Sequence, residues 1–144
     1  MIKRKTLKQN ISNRIMINGN KRTSEKTLFK TLKLIQKSES KKNFETILKT
    51  SLINSSPLLY VKQIKRKRRR TFEFPFLLNS KLKMSYAIKF LILNSRKKKV
   101  EFFYKNFNTE LMNSSKKTSS SVKQKIDLHK DGFATRKFAN YRWF

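Results

Sequence analysis

The chain has 144 residues and no cysteine, and its 37 Lys and Arg residues against 8 Asp and Glu residues give a formal net charge of +29. The lack of cysteine excludes disulfides, thiolate zinc sites and cysteine nucleophiles, and the longest apolar run, residues 90–93, is too short to span a bilayer. Because a domain of this size ordinarily carries a net charge of about 2–8, the excess predicts a permanent anionic partner.

The N-terminal residues 1–10 are basic and lack a periodic pattern, which predicts an extended arm on the partner. An import presequence is the alternative, although ten residues are short for one. The rest of the chain, residues 11–144, is expected to form one domain. Ile11 and Ile15 begin its first short helix, and residues 18–20 (Asn-Gly-Asn) predict a turn after it.

Two further helices are predicted in the first half of the chain. Thr23 or Ser24 is expected to cap the second helix, with Glu25 favourable in its first turn. Asn43 is expected to cap the third helix, whose apolar residues follow helical spacing, and Pro57 ends it.

The middle of the chain predicts a β-hairpin at about residues 59–78. In residues 71–78 every second residue, starting at Phe72, is Phe or Leu, and this period of two is typical of a strand. Pro75 cannot donate a ladder hydrogen bond, so the strand belongs to a sheet edge or a two-stranded ribbon. The tip lacks the glycine of a tight turn, which predicts a longer loop or a bulge.

A fourth helix is predicted to begin at Asn79 or Ser80 and to be central to the core. Its apolar residues form a stripe that is widened by a second set of apolar positions, so much of the helix surface is expected to be buried. The stripe consists of Leu82, Tyr86, Phe90 and Leu93, and the second set consists of Ala87, Ile88, Leu91 and Ile92.

The C-terminal third predicts a fifth amphipathic helix over residues 100–111, a flexible polar linker over residues 114–121 and a last helix over residues 122–139. Gly132 is expected to weaken the last helix by about 1 kcal/mol relative to Ala. The predicted fold class is therefore mainly α: one helical-bundle domain of about six helices with a protruding basic β-hairpin.

Basic residues are densest at the tip of the hairpin, where seven of the ten residues 61–70 are Lys or Arg. A solvated charge run or a nuclear-import peptide would explain the cluster alone. The attached aromatic strand and the charge of the whole chain favour nucleic acid instead. Positive charge on every segment, rather than on one helical face, argues against a membrane surface as the partner.

Asp127, His129 and Asp131 could suggest a metal or nuclease site. On a helix, however, Asp127 and Asp131 share a face while His129 points elsewhere. The chain has one histidine and no second carboxylate cluster near it, so we expect a structural or RNA-facing helix, no cofactor and no enzyme activity.

The aromatic residues leave two readings open. Phe72, Phe74 and Phe76 could stack on bases, but alternation on one face is more simply explained by packing against the helices. Tyr141 and Trp143 could belong to the core or contact a partner; their place next to Arg142 and at the chain end favours contact with RNA or a neighbouring protein.

Three blocks of residues resemble the small-subunit ribosomal protein seven family. Residues 15–25 resemble its apolar triplet before Asp-Gly-Lys-Lys, and residues 71–75 (Thr-Phe-Glu-Phe-Pro) resemble its Thr-Tyr-Gln-Val-Pro strand. Residues 127–130 (Asp-Leu-His-Lys), followed by residues 138–143 (Phe-Ala-Asn-Tyr-Arg-Trp), resemble its closing helix. The match runs from about Ile11 to Trp143.

The resemblance implies a structural protein that binds the 3′ major domain of small-subunit rRNA and organises the head. It implies a ribbon near the exit-site tRNA and the mRNA exit path, and contacts with platform protein eleven and with head proteins. The cations expected to contact RNA are Lys3, Arg4, Lys5, Lys21, Arg22, Lys62, Lys65, Arg66, Lys67, Arg68, Arg69, Arg70, Lys81, Lys83, Arg96, Arg136 and Arg142.

The chain also departs from the family pattern. Arg68 and Arg69 stand where the family usually has Gly-Gly, and the basic residues before the fourth helix are reduced to Lys81 and Lys83. Gly, Pro and Ala, which have G+C-rich codons, are scarce, while Lys, Asn, Ile and Phe are abundant. Since the match begins almost at Met1, no presequence is expected. These features favour a protein made inside a mitochondrion, with a plastid-type organelle as the alternative.

Two other functions remain open from the residues alone. A DNA-compacting architectural protein would also be basic and could carry a ribbon arm. An enzyme acting on RNA would need convergent carboxylates and histidines, which the pattern does not supply.

Overall fold

The computed structural model describes residues 7–39, 43–65, 71–98 and 101–140, and within these ranges it confirms the mainly helical fold class with one hairpin. The helices are α1 (Leu7–Ile15), α2 (Lys21–Ser38), α3 (Phe44–Ser55), α4 (Ser80–Lys97), α5 (Phe103–Ser115) and α6 (Ser120–Ala134). The strands are β1 (Leu59–Lys65) and β2 (Thr71–Leu77), and a short 3-10 helix follows α6 at Arg136–Phe138. None of the helices in these ranges is both long enough and apolar enough to cross a membrane.

Helix α4 lies at the centre of the bundle, as its apolar surface predicts, and contacts α1, α3, α5 and α6. Ala87 and Leu91 are buried in the core, but Leu82 and Leu93 of the predicted stripe are exposed. Leu93 is rotated by about 200° from Leu91 around the helix axis, so it points away from the core. The predicted burial of the whole stripe is therefore wrong at these two residues.

Four helices begin at residues other than those predicted: α5 begins at Phe103 rather than residue 100, α6 begins at Ser120 rather than Val122, and α1 and α2 differ as follows. Helix α1 begins at Leu7 rather than Ile11 because Leu7 packs against the core, so the helix takes in residues 7–10 of the predicted arm. Helix α2 begins at Lys21, so the predicted caps Thr23 and Ser24 are wrong. Asn18 and Gly19 have positive φ angles of 50° and 75°, and this tight turn lets the next helix begin at once.

The other predicted caps agree with the structure. Asn43 and Asn79 occupy the N-cap positions of α3 and α4, and α3 ends two residues before Pro57. Helix α6 ends at Ala134, earlier than the predicted Ala139, because the chain continues as the 3-10 helix.

The predicted flexible linker over residues 114–121 is wrong. Ser114 belongs to α5, Ser119 caps α6 by accepting from the Val122 amide at 3.2 Å, and Ser121 is fully buried. The cause is Glu110, whose buried carboxylate accepts hydrogen bonds from the Ser121 amide at 3.0 Å and from the Ser121 hydroxyl at 2.7 Å. Serine residues whose hydroxyls have hydrogen-bond partners in the interior can be buried, so a polar composition does not by itself predict an exposed linker.

The hairpin is antiparallel, with Val61 opposite Pro75 and Tyr60 opposite Phe76. It is held to the helices by rings at both of its ends. At the base, the rings of Tyr60 and Tyr86 of α4 lie 5.3 Å apart. Further out, Phe138 of the 3-10 helix makes edge contacts with Phe72 at 5.9 Å and Phe74 at 5.8 Å.

The packing of Phe72 and Phe74 is therefore against the 3-10 helix. Both rings are half-buried, and neither belongs to the hydrophobic core cluster of the bundle. The hairpin strands are thus braced by a satellite aromatic cluster, and the tip, where a longer loop or a bulge is predicted, lies outside the described residues.

Candidate nucleic-acid interface

A groove of about 620 Å³ lies between α1 and the first turns of α4. It combines amides and a guanidinium from α1 with hydroxyls and an ammonium from α4, and two apolar side chains add a nonpolar surface. Its lining residues are Asn10, Asn13, Arg14, Ser80, Lys81, Met84, Ser85 and Ile88. Such a mixture can bind phosphates and base edges together.

The α1 wall of the groove follows from helical spacing. Asn10, Asn13 and Arg14 stand at i, i+3 and i+4, so they share one face of α1, while Ile11 and Ile15 are buried on the other. The Arg14 guanidinium donates a hydrogen bond to the Ser85 hydroxyl of α4. Sequence reasoning missed Arg14, although this spacing opposite a buried apolar pair could have indicated it.

The α4 wall lies next to the base of the hairpin. Strand β2 ends at Leu77, and α4 begins at Ser80. The Leu78 amide donates to the Leu58 carbonyl at 3.0 Å, which closes the base of the ribbon. Lys81 is exposed in the first turn of α4, a turn without acidic residues. The groove and the hairpin therefore form neighbouring parts of one basic surface.

Four other predicted cations lie elsewhere on the described surface. Lys21 and Arg22 are exposed at the start of α2, where the Lys21 ammonium lies 3.8 Å from the Glu25 carboxylate. Lys62 is exposed on β1 opposite Phe74. Lys83, by contrast, is half-buried.

Two predicted arginines make intramolecular contacts. The Arg96 guanidinium donates to the Ile15 carbonyl at 2.9 Å and lies 5.8 Å from the centre of the Phe103 ring. The Arg136 guanidinium lies 4.4 Å from the centre of the Phe133 ring. Both arginines stay exposed. Arg96 therefore joins the end of α1 to α4 as well as adding positive charge.

Several predicted residues cannot be placed by the structure. For Lys65 only the backbone is placed, pairing with Thr71 in the hairpin. Outside the described residues lie Lys3, Arg4, Lys5, Arg66, Lys67, Arg68, Arg69, Arg70, Tyr141, Arg142 and Trp143.

Acidic side chains do little to offset this charge. Glu45 lies 3.5 Å from Lys8, and Asp127 lies 3.7 Å from Lys130. The buried Glu110 is paired with the Lys98 ammonium at 3.0 Å. Each of these carboxylates neutralises one cation, so with 37 Lys and Arg residues against 8 Asp and Glu residues most of the positive charge is left to attract an anion.

His129, one of the three residues considered for a metal site, makes a structural contact. In the part of the chain that the structure describes, no group of three His, Asp or Glu side chains could hold a metal ion. The His129 Nε2 atom accepts a hydrogen bond from the Leu58 amide at 3.0 Å, which ties α6 to the base of the hairpin. Burial, and then the nearby Lys125 ammonium, lower the pKa of His129 and favour the neutral ring that this bond requires.

The sequence of this chain is similar to those of ribosomal proteins. The family model described as Ribosomal protein S7p/S5e matches residues 2–136. The small ribosomal subunit protein uS7 of Heliobacterium modesticaldum is 31% identical over 133 residues, which cover 92% of this chain and 84% of that protein. The uS7 protein of Desulfitobacterium hafniense is 30% identical over 131 residues, covering 91% of this chain and 83% of that protein. The uS7 protein of Stenotrophomonas maltophilia is 28% identical with the same coverage.

Proposed function

Because this chain belongs to the Ribosomal protein S7p/S5e family, we propose that it binds the 3′ major domain of small-subunit rRNA and organises the head of the subunit. Family membership makes it a structural protein of the small ribosomal subunit, with rRNA and other ribosomal proteins as partners, and not an enzyme. The alternative of a DNA-compacting protein therefore no longer applies.

The groove between α1 and α4 is the observation that carries the rRNA proposal. Folded RNA is recognised mainly through its backbone, its shape and its unpaired bases. Arg14 and Lys81 supply charge to opposite walls of the groove, and Asn10 and Asn13 supply amides that can bind base edges. Since Ser85 already orients the Arg14 guanidinium, little ordering is needed on binding.

The hairpin supports a second part of the proposal. Its tip sequence, residues 66–70, is wholly basic, and the ring contacts of Phe138 brace the strands that lead to it. We propose that this ribbon reaches the exit-site tRNA and the mRNA exit path. Platform protein eleven and other head proteins are the proposed protein neighbours.

The division of the chain and its location are also proposals. We propose a basic N-terminal arm followed by a single domain, with the boundary predicted between residues 10 and 11 moved to the start of α1 at Leu7. A mitochondrial ribosome is the proposed location, with a plastid-type ribosome as the alternative. The support is the scarcity of Gly, Pro and Ala beside abundant Lys, Asn, Ile and Phe, which is typical of A+T-rich organellar genomes.

The test of the rRNA proposal is filter binding to a transcript of the 3′ major domain. Replacing Arg14 and Lys81 by Gln should weaken binding by about tenfold. It should also reduce the slope of log affinity against log salt by about 1.5, since each lost phosphate contact removes about 0.7–0.9.

The matched control replaces Lys49 and Lys123, two exposed lysines of α3 and α6, by Gln. It removes the same formal charge away from the groove and should change the affinity by less than about threefold. Equal losses in the two double variants would mean that only total charge matters, and that the groove is not a binding site.

A further inference from the structure

Phe102 is an exposed aromatic residue that does not belong to the hydrophobic core. Its side chain is 72% exposed, and it is the N-cap of α5. The next residue, Phe103, packs against the core, with its ring stacked on that of Phe107 at 5.6 Å. The two neighbouring phenylalanines therefore have different roles, since one packs inward and the other faces solvent.

The Phe102 ring is part of an ordered stack. It lies nearly parallel to the Tyr104 ring, with an interplanar angle of 17° and 5.9 Å between centroids. The Lys30 ammonium of α2 lies 5.6 Å from the centre of the same Tyr104 ring. Single exposed apolar side chains are ordinary on protein surfaces, but this one is held against a second ring with a cation beside it.

The backbone around Phe102 is held in place as well. The Phe102 carbonyl accepts hydrogen bonds from the Lys105 amide at 2.9 Å and the Asn106 amide at 3.2 Å. The buried Asn106 side chain donates to the carbonyls of Lys98 and Glu101. The ring is thus displayed with little freedom left to lose when a partner binds.

We infer that Phe102 is a stacking platform for an unpaired base of the small-subunit rRNA, with Lys30, beside the Tyr104 ring, and the exposed Lys105, three residues along the chain, for flanking phosphates. This inference rests on the proposed rRNA binding and adds a contact on α2 and α5, apart from the α1–α4 groove. Unpaired bases in folded RNA commonly stack on aromatic side chains, and stacking accepts any base because every base has a π-face.

The charged neighbours favour a base over an apolar protein surface. The Glu101 carboxylate is exposed directly before Phe102 and would repel a phosphate, but it does not oppose an uncharged base. An apolar protein partner would bury the charges of Glu101, Lys105 and Lys30 without pairing them, which is costly. A base stacked on the ring leaves Glu101 in water and the two lysines in water or near phosphates.

The first experiment measures binding of the full-length chain to the 3′ major domain transcript. Phe102→Ala and Phe102→Leu should each weaken binding by about 5- to 100-fold, while Phe102→Trp should keep the wild-type affinity. Phe102→Leu separates base stacking from an apolar contact, because Leu keeps apolar area but has no ring face. Phe29→Ala is the matched control, since Phe29 is 62% exposed on α2, and it should change the affinity by less than about twofold. Wild-type affinity for both Phe102→Ala and Phe102→Leu would overturn the platform.

The second experiment tests the platform independently of binding to the isolated 3′ major domain transcript. The photoreactive residue p-benzoylphenylalanine is placed at position 102, or at position 29 as control, and small subunits containing it are purified and irradiated. A crosslink from position 102 to an unpaired rRNA nucleotide supports the platform even if the isolated transcript does not bind. A crosslink only to protein, or none, overturns it. Failure of wild-type protein to bind the transcript would count against the proposed rRNA target alone.

Discussion

At the scale of single residues, Glu110 joins three segments of the C-terminal half of the bundle. Among the described residues it is the one fully buried carboxylate. Burial alone would raise its pKa, but hydrogen bonds from Ser121 and from the Lys98 ammonium outweigh this effect and lower the pKa below its ordinary value. The same contacts join the end of α4 and the start of α6 to α5.

Glu110→Gln should therefore destabilise the protein by about 2 kcal/mol at neutral pH, since a hydrogen bond to a charged group contributes about 1.5–3 kcal/mol and Lys98 is still 39% exposed. Because the folded-state pKa is depressed, the wild-type carboxylate stabilises the fold above about pH 4.5 and loses this effect as the pH falls through the lower folded-state value. The variant should lack that acid-side loss. Urea melts between pH 7 and pH 3 measure both effects.

The exposed Glu101 supplies the control for this carboxylate. Glu101→Gln changes the charge equally but should alter stability by less than about 0.5 kcal/mol at either pH. If the two variants behaved alike, net charge rather than the buried network would explain the result.

At the scale of elements, the contact between α6 and β1 reverses the stability change that helix propensity predicts for a substitution at Gly132. A helix gains about 1 kcal/mol when Gly is replaced by Ala, so the sequence alone predicts that Gly132→Ala stabilises the protein. In the structure, a Cβ at Gly132 would lie 2.9 Å from Leu59 Cδ2 and closer still to Cδ1. Leu59 would have to move, and overpacking costs about 1–3 kcal/mol.

We expect Gly132→Ala to lower the free energy of unfolding by about 1 kcal/mol as the net of these two effects. In a Leu59→Ala background the clash is gone, so the same change should raise the free energy of unfolding by about 1 kcal/mol. Thermal melts of the four proteins in this cycle measure the sign change. Stabilisation by Gly132→Ala with Leu59 present would contradict the close packing of α6 on the hairpin base.

At the scale of the whole molecule, a charge of +29 opposes compaction because the cations repel each other. We expect the isolated chain to melt at a low temperature in low salt, and to melt higher both with added salt and with the 3′ major domain transcript. RNA at 100 times its dissociation constant should add about 2.7 kcal/mol to the free energy of unfolding. Circular dichroism melts with and without the transcript test this. A high melting temperature in low salt that RNA leaves unchanged would show that repulsion is negligible.

Local pattern was sufficient for the order and type of the helices and strands, but not for all of their bounds. The period-two run starting at Phe72 predicted a strand, Asn43 and Asn79 predicted helix starts, and Pro57 predicted a helix end. These features depend on residues close in the chain, because period, capping and φ restriction act over a few positions. The anionic partner was likewise predictable, since net charge is a sum that does not depend on folding.

What only the tertiary structure decided is which distant residues meet. Ser121 lies in a segment, residues 114–121, whose polar composition predicts a linker, yet it is buried because Glu110 accepts its hydrogen bonds. Arg14 lies in one groove with Lys81 because α1 packs against α4. Phe102 and Phe103 are identical neighbours in sequence, and the packing of α5 alone determines which of them faces solvent. The physical reason is that propensity and periodicity are properties of neighbouring residues, whereas burial and hydrogen-bond partners depend on how helices far apart in the chain pack together.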